Sequence, residues 1–177
     1  YRWVINVIKI RNVEECDIES VVDIQITGWQ AAYIGIIDQE FLDSMDRVSR
    51  IEKRKATYKD SPFIVAENDN KEIVGFARYT YDVASDEDKD YESELRALYV
   101  RPDLKKQGIG RLLFEYIKKD MIKHGRNKMI LWCLKENYPS RRFYEKMGGQ
   151  IVAHEKYEEF GGKKYPLVGF GYDLKCI

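Results

Sequence analysis

The sequence predicts an α/β fold in one domain spanning residues 1–177. Segments rich in β-branched residues alternate with segments of helical periodicity, in the order β-α-α-β-β-β-α-β-α-β-β. No repeat, linker or low-complexity tract divides the chain. A length of 177 residues suits a single hydrophobic core. The strand, helix, strand and helix in the middle of the chain give the strongest signals.

The N-terminal part of the chain predicts one strand followed by two helices. The β-branched run VINVIKIRN predicts a first strand over residues 4–12. Apolar residues at helical spacing predict a helix over residues 18–33, with Asp17 as its N-cap. A second helix is predicted over residues 39–58.

The next segment predicts a hairpin, a loop and a strand. FIVAEN at 63–68 and IVGFARYTYD at 73–82 flank the turn residues DNK. Residues 82–94 carry seven acidic residues against one lysine, which predicts an exposed, self-repelling loop. ELRALYV at 94–100 predicts the following strand.

The C-terminal half predicts two more helices and three strands. A helix with apolar residues at helical spacing ends at His124 and Gly125, and a buried strand follows at 128–134. The next helix has Asn137 as N-cap, Pro139 in its first turn and Gly148 after its last turn. Two strands, at 149–158 and 163–174, are joined by the glycines 161 and 162.

Composition excludes several classes of function. Thirty basic and thirty acidic residues give a net charge of zero, which argues against a nucleic-acid or membrane partner. Three widely spaced cysteines and two histidines predict neither a disulfide framework nor a metal site. The apolar runs are far shorter than the ~18 residues that span a bilayer, and we expect a cytoplasmic protein.

The segment KKQGIGR at 105–111 lies between a predicted strand and a predicted helix. Gly108 and Gly110 allow close backbone approach, and the first amides of the helix have no carbonyl partners. Together with the helix dipole and the basic side chains, these amides favour a phosphate or pyrophosphate ligand. The segment lacks the third glycine of the dinucleotide motif and the GK[ST] of a P-loop. A tight turn with a solvated basic rim is the alternative.

Two motifs resemble those of the GNAT superfamily of acetyl-coenzyme A-dependent N-acetyltransferases. LYVRPDLKKQGIGRLL at 98–113 is similar to that family's strand, [Q/R]-x-x-G-x-[G/A] turn and helix, with Lys105 standing where glutamine or arginine is usual. NYPSRRFY at 137–144 resembles a second family motif. The resemblance implies a central mixed, mostly antiparallel twisted sheet, flanked by helices and splayed at its two central strands. It also implies acetyl-CoA as cosubstrate and no metal.

The resemblance implies a cofactor site formed by the strand, the turn and the later helix. Its residues are Leu98, Tyr99, Val100, Lys105, Lys106, Gln107, Gly108, Ile109, Gly110, Arg111, Asn137, Ser140 and Tyr144.

The resemblance also implies two catalytic residues. Tyr144 stands where many family members have a tyrosine that protonates the departing thiolate, although helix periodicity alone would make it a core aromatic. Glu94, expected on the same strand face as Leu98 and Val100, matches a glutamate that deprotonates the amine in histone acetyltransferases. A solvated carboxylate at the start of a strand is the alternative. Cys133 is expected to be an inert buried residue.

The acceptor is less constrained by the sequence. Trp29, Tyr33 and Tyr157, with the acidic run 82–94, suit a small cationic amine or a protein or peptide amino group. A non-catalytic acyl-CoA-binding regulatory protein and a nucleotide-binding module of another family are the alternatives. The protein is expected to act as a monomer or homodimer.

Overall fold

The computed structural model describes residues 7–176, which form a seven-stranded sheet with helices on both faces. The strands are β1 (Lys9–Asn12), β2 (Phe63–Glu67), β3 (Ile73–Thr80), β4 (Ser93–Val100), β5 (Lys128–Leu134), β6 (Gln150–Phe160) and β7 (Lys163–Asp173). The helices are α1 (Ile18–Ala32), α2 (Gln39–Asp43), α3 (Arg47–Thr57), α4 (Ile109–Lys123) and α5 (Tyr138–Lys146).

The strand order in the sheet is β1-β2-β3-β4-β5-β7-β6. Every neighbouring pair is antiparallel except β4 and β5, which are parallel. This parallel pairing covers only residues 93–95 of β4 and 129–131 of β5, and beyond it the two strands separate. The predicted α/β fold, a mixed and mostly antiparallel sheet splayed at its centre, is confirmed.

The helices form two layers. On one face α4 buries Leu113, Phe114, Ile117 and Met121 in the main core, and α5 adds Tyr144. This amphipathic spacing is why residues 109–123 fold as a helix against the sheet. On the other face α1 packs against β2 and β3. The sheet therefore separates a face covered by α4 and α5 from a face covered by α1 and α3.

The predicted helix over residues 39–58 is wrong in one respect, because it is two helices. The first ends at Asp43, and the second begins at Arg47. Asp46 lies at the break with extended backbone, and its carboxylate accepts a 2.8 Å hydrogen bond from the amide of Ser49. An aspartate that caps a helix in this way competes with continuation of the preceding helix.

Asp17 precedes α1 as predicted, but its side chain makes no cap bond to that helix. Its carboxylate instead accepts hydrogen bonds from Arg11, at 2.7 and 3.0 Å, and from the amide of Glu14 at 2.8 Å. Arg11 also pairs with Glu67. A charged partner therefore takes the carboxylate away from the helix end and ties β1 to β2 and α1.

Most of the remaining elements follow the prediction. The prediction of an exposed loop over residues 82–94 is wrong in part, because Asp88 is 1% exposed and bonds to Trp132, His154 and Lys156, and because β4 already begins at Ser93. The first strand is shorter than predicted, since it begins at Lys9, and the part of the prediction over residues 4–6 lies outside the described residues. Asn137 caps α5, Pro139 lies in its first turn, and Gly148 follows the helix end with a φ of 96°. Over residues 7–176, none of the helices is long and apolar enough to cross a membrane.

Candidate active site

The separation of β4 and β5 opens a gap in the middle of the sheet. From Ala97 to Val100, β4 remains paired with β3, while no described strand pairs with its other edge. The backbone N–H and C=O groups on that edge are free for an extended ligand that can bind like a neighbouring strand. Leu98 and Val100, both predicted to bind cofactor, lie on this segment.

The N-terminus of α4 lies just beyond the end of β4. Gly108, the residue before the helix, has a φ of 85°, and Lys106 has a φ of 65°, so the turn relies on left-handed backbone at two positions. The amide of Leu112 bonds to the carbonyl of Gly108 at 3.0 Å, and no side chain caps the first turn. The amides of Ile109, Gly110 and Arg111 therefore precede the regular helical bonds and suit an anion.

The side chains around this helix start are also suited to phosphate. Lys105, Lys106, Gln107 and Arg111 are exposed, while Ile109 is buried and fixes the turn to the core. The helix dipole and the lysine and arginine charges act in the same direction. The predicted turn residues are thus together at one end of the gap, with the charged side chains facing solvent.

Gly110 lies where α4, α5 and β4 come close together. A Cβ atom at this position would lie 3.4 Å from the Phe143 ring on α5 and 3.7 Å from the Leu98 side chain on β4. A Cβ at Gly108 would meet nothing within 4 Å. The glycine at position 110 therefore adds no side chain to the space between α4, α5 and β4, which we call the glycine passage.

The start of α5 carries a buried polar side chain. Asn137 is 5% exposed, and its amide oxygen accepts a 3.4 Å hydrogen bond from the backbone N–H of Ser140. The predicted N-cap is confirmed. The side-chain NH₂ of Asn137 makes no bond within residues 7–176 and can donate to a ligand carbonyl.

Tyr144 lies further along α5 and combines a packed ring with an unpaired hydroxyl. Its ring packs against Phe170 at 5.9 Å and against Phe143 at 5.3 Å, centroid to centroid. Within the described residues its hydroxyl makes no hydrogen bond. Burial raises the pKa of the Tyr144 phenol, and the nearby Cys133 and Tyr99 act in the same direction. The phenol therefore keeps its proton at neutral pH.

Glu94 does not lie on the strand face on which the sequence placed it. The pairing of β3 with β4 shifts between Arg78 and Tyr79, so Arg96 is an extra residue on β4. Because this bulge reverses the alternation, Leu98 packs in the α4 core, whereas Glu94 lies on the face of α1 and α3. The expectation that Glu94 shares a face with Leu98 and Val100 is wrong.

The Glu94 carboxylate is held in place on this face. It accepts a 3.3 Å hydrogen bond from the amide of Ala84 and forms a 3.4 Å ion pair with Arg96. Its side chain is 13% exposed. An anchored, partly buried carboxylate beside the end of the β4–β5 pairing is able to bind or deprotonate a cationic amine.

Aromatic side chains of α1 line the same face of the sheet. The Trp29 indole nitrogen donates a 2.8 Å hydrogen bond to the Tyr99 hydroxyl, which also interacts with Tyr33. The Trp29 and Tyr33 rings meet edge to face at 5.1 Å. Burial raises the pKa of both the Tyr33 and the Tyr99 phenols. Trp29 and Tyr33, both predicted to bind substrate, are therefore brought together by Tyr99.

Tyr157, the third predicted substrate residue, is not part of this group. Phe160, three residues further along β6, packs edge to face on Trp29, with 5.2 Å between the ring centroids. Because alternate residues of a strand share a face, Glu158 faces α1 as well. Tyr157 lies on the other face of β6 and is 63% exposed, since successive residues of a strand alternate. Glu158, and not Tyr157, is therefore the residue of β6 that faces α1 at this point. Burial raises the pKa of its carboxyl.

Cys133 lies on β5 near Tyr144. Burial raises the pKa of its thiol to about 12, so the thiolate is not formed at neutral pH. This agrees with the expectation of an inert residue. Among residues 7–176, no three histidine, cysteine or acidic side chains come together in a group that could hold a metal ion.

Two features of the site were not predicted from the sequence. The Tyr99 side chain was not assigned to the acceptor side, although strand alternation puts it opposite Leu98 and Val100. The side chains of Arg50 and Arg54 on α3 also reach this face. Their spacing of four residues, which puts two side chains on the same face of a helix, is the sequence pattern that indicates this.

Residues 21–149 match the model of the acetyltransferase (GNAT) family. A protein of Bacillus subtilis named "Uncharacterized N-acetyltransferase YuaI" is 27% identical over 171 residues, which cover 96% of each chain. The spermidine N(1)-acetyltransferase of Thermoplasma acidophilum is 25% identical over 165 residues, covering 89% of this chain and 98% of that protein.

Solved structures show the same fold. The crystal structure of the PaiA N-acetyltransferase from Thermoplasma acidophilum in complex with coenzyme A has a TM-score of 0.69 at 22% identity, covering 94% of this chain and 99% of the other. The gap between β4 and β5, the uncapped start of α4 and the glycine passage fit a coenzyme A ligand. The chain therefore belongs to the acetyltransferase (GNAT) family and is an acetyl-CoA-dependent N-acetyltransferase.

Proposed function

We propose that the protein transfers an acetyl group to a primary amine by direct attack in a ternary complex. The acceptor is a small amine or the amino group of a protein or peptide. The observation that carries this proposal is the gap where β4 and β5 separate after Leu95 and Leu131. The start of α4 and Tyr144 lie on one face of the sheet at this gap, and Glu94 and Tyr99 lie on the other.

The cofactor residues act through backbone and polar groups. Acetyl-CoA supplies the acyl group as an activated thioester. The amides of residues 107–111 bind the pyrophosphate, with Lys105, Lys106 and Arg111 adding charge. The free edge of β4 from Leu98 to Val100 binds the pantetheine arm through main-chain groups. Asn137 and Ser140 at the start of α5 add polar contacts.

Tyr144 protonates the departing thiolate. Its phenol is protonated at neutral pH, because burial raises its pKa. A donor with a raised pKa is weaker, so the proton moves efficiently only if the acceptor is equally basic. A thiolate released beside Phe170 and Phe143 meets the same loss of solvation, which raises its pKa as well. The shared apolar surroundings therefore keep the pKa of the phenol and the pKa of the thiolate close to each other.

Two carboxylates are positioned to receive the amine proton. Glu94 is anchored by Ala84 and Arg96 on the acceptor face. Glu158 faces the same group of aromatic residues, and burial raises the pKa of its carboxyl, which makes it a better base than an ordinary glutamate. We assign Glu94 as the base.

A backbone N–H near Leu98 polarises the thioester carbonyl and binds the developing oxyanion.

An amine acceptor agrees with the relative named spermidine N(1)-acetyltransferase. The experiment that tests the proposal is a screen of amines, amino acids, antibiotics and peptides with acetyl-CoA, with release of the CoA thiol as the readout. We expect steady turnover with at least one amine and an N-acetylated product by mass spectrometry. CoA binding without turnover on any acceptor would favour the non-catalytic regulatory protein instead.

A further inference from the structure

Three arginines lie close together on the acceptor face of the sheet. The guanidinium carbons of Arg54 and Arg78 lie 5.6 and 5.7 Å from the centre of the Phe63 ring. The guanidinium carbon of Arg50 lies 5.8 Å from the centre of the Trp29 ring. We call Arg50, Arg54 and Arg78 the arginine cluster. Trp29 belongs to the aromatic group of the candidate active site, and Phe63 is a buried residue of β2 on the same face of the sheet.

No carboxylate neutralises the arginine cluster. Within residues 7–176, none of its three members forms an ion pair within 4 Å, and this distinguishes them from Arg11 and Arg47. Two acidic residues interact electrostatically with the cluster without forming an ion pair within 4 Å. Asp46 acts on Arg50, and Asp60 acts on Arg78.

The charges of the cluster are closely spaced and partly buried. Burial, together with the charges of Arg78 and Arg50, lowers the pKa of Arg54 to about 10. Burial also lowers the pKa of Arg50 and the pKa of Arg78. The positive charge of Arg96 lowers the pKa of Arg78 further. All these guanidinium groups still carry a charge at neutral pH. Grouped cations without counter-ions are stabilised when an anion binds between them.

The cluster belongs to the acceptor side of the gap. Arg78 lies directly opposite Ala97, the β4 residue between the bulge and Leu98, on the face that carries Glu94 and Tyr99. Arg50 acts electrostatically on Tyr99. The start of α4, which we assign to the cofactor pyrophosphate, packs on the opposite face of the sheet. The arginine cluster is therefore separate from the cofactor phosphate site.

Two carboxylates of the acidic run 82–94 are bound to partners other than the arginine cluster. Asp88 is 1% exposed and bonds to Trp132, His154 and Lys156, so it does not form an open, negative wall. Glu92 accepts hydrogen bonds from the amides of Asn127 and Lys128. Neither Asp88 nor Glu92 is therefore available to pair with the arginine cluster.

We propose that the arginine cluster binds a carboxylate of the acceptor, and that the acceptor is an amino acid or a similar small amine bearing a carboxylate. This inference rests on the proposed function. The planar guanidinium fork matches a carboxylate in two hydrogen bonds. The carboxylate end then lies against α3 and β3. The amino group is directed towards Glu94 on the same face and towards Glu158, whose charge acts on Tyr99. The acceptor site has a positive end and a negative end, which is complementary to a zwitterion.

Matched substrates test this proposal. Each amino acid of a panel is compared with its C-terminal amide, and spermidine is included, at saturating acetyl-CoA and over a pH range that corrects for the neutral fraction of each amine. We expect a KM at least about tenfold lower for the acid than for its amide, because the amide offers no negative charge to the guanidinium groups. Equal or better use of the amides or spermidine would overturn the inference while leaving the acetyltransferase function intact.

Variants identify the residues responsible. Arg54→Met and Arg78→Met keep an aliphatic side chain on Phe63, and each should raise KM for the acid about tenfold with little change in kcat or in KM for the amide. Arg54→Lys should restore part of the difference. Arg47→Met is the control, since Arg47 lies on the same helix but pairs with Asp23 and Glu19, and it should leave both KM values unchanged. Unchanged KM values in folded Arg54→Met and Arg78→Met would overturn the proposal.

A binding measurement separates this inference from the proposed function. If no amine is acetylated, calorimetry with N-acetyl-L-methionine and its amide in the presence of saturating CoA still reports on the arginine cluster. Tighter binding of the acid than of the amide, lost in Arg54→Met, supports the site even without turnover. Equal binding of the two probes contradicts it. If Arg54→Met fails to fold, Arg50→Met is measured in its place.

Discussion

Glu94 and Leu98 lie on opposite faces of β4, although they are four positions apart and a regular strand would put them on the same face, because the bulge at Arg96 reverses the alternation of the strand. The two residues consequently serve different sides of the gap. Leu98 lies with α4 and the cofactor passage, and Glu94 lies with α1, α3 and the acceptor. In the proposed mechanism, this bulge lets one short strand contribute residues to both the cofactor side and the acceptor side of the gap.

The first prediction concerns cofactor binding. Saturating acetyl-CoA, but not acetate, should raise the melting temperature, because a ligand that binds only the native state stabilises it. CoA should have a similar effect, since the pyrophosphate and pantetheine contacts do not require the acetyl group. Differential scanning fluorimetry measures both. An unchanged melting curve at saturating acetyl-CoA would contradict the assignment of the gap as a cofactor site.

The second prediction concerns Gly108 at the start of α4. Gly108→Ala should weaken CoA binding, because a side chain at a φ of 85° strains the turn that orients the free amides. Gly125→Ala is the matched control, since it follows the other end of α4 with a φ of 74° and equally open surroundings. Both variants should lose a similar amount of stability, about 1 kcal/mol. Comparable CoA affinities for the two, by calorimetry, would argue for a different groove.

The third prediction concerns the role of Glu94. Glu94→Gln should lower kcat/KM near neutral pH, where an alkyl amine with a pKa of about 10 is mostly protonated, and the defect should shrink as pH rises towards that pKa. The reason is that a free amine needs no base. Glu92→Gln is the control, because Glu92 only accepts bonds from backbone amides.

The outcome of this experiment also distinguishes Glu94 from Glu158. A defect in Glu94→Gln that is constant with pH would assign Glu94 to substrate binding or to holding Ala84 and Arg96. If Glu158→Gln shows the pH-dependent defect instead, Glu158 is the base. Its raised pKa would then place the acidic limb of the wild-type profile above the ordinary value of 4.5.

The fourth prediction concerns Cys133. With a thiol pKa of about 12, this residue has almost no thiolate at neutral pH and cannot form an acyl intermediate efficiently. Cys133→Ala should therefore keep turnover within about twofold of wild type. The assay is CoA thiol release at saturating substrates. A loss of several orders of magnitude, with trapping of an acetylated cysteine in the wild type, would refute direct transfer.

The sequence predicted the parts of the site whose geometry is local. Gly108, Gly110 and the start of α4 form one turn, and Asn137 caps α5 from two residues before Pro139, so residue spacing was sufficient. Most helices and strands were predicted for the same reason, because periodicity is a local property.

The features that the sequence did not predict depend on contacts between distant segments. The bulge at Arg96 is set by the pairing with β3, and it changed the face of Glu94. Tyr157 lies outside the group of side chains that face α1, and Glu158 lies within it, because of how β6 pairs with β7 beside α1. The arginine cluster joins α3 to β3 across an aromatic ring on β2, and no local pattern records that meeting.

Tyr144 provides the most direct test of the central claim, which is direct acetyl transfer with a tyrosine as the proton donor. In Tyr144→Phe, turnover should fall roughly ten- to a thousandfold while acetyl-CoA affinity changes little, because only the hydroxyl that meets the thiolate is lost. Tyr138→Phe is the control, because this tyrosine lies on the same helix and is exposed. Single-turnover rates and calorimetry on the two variants measure the difference. A Tyr144→Phe protein with wild-type turnover would contradict the account and leave Tyr144 as a core aromatic.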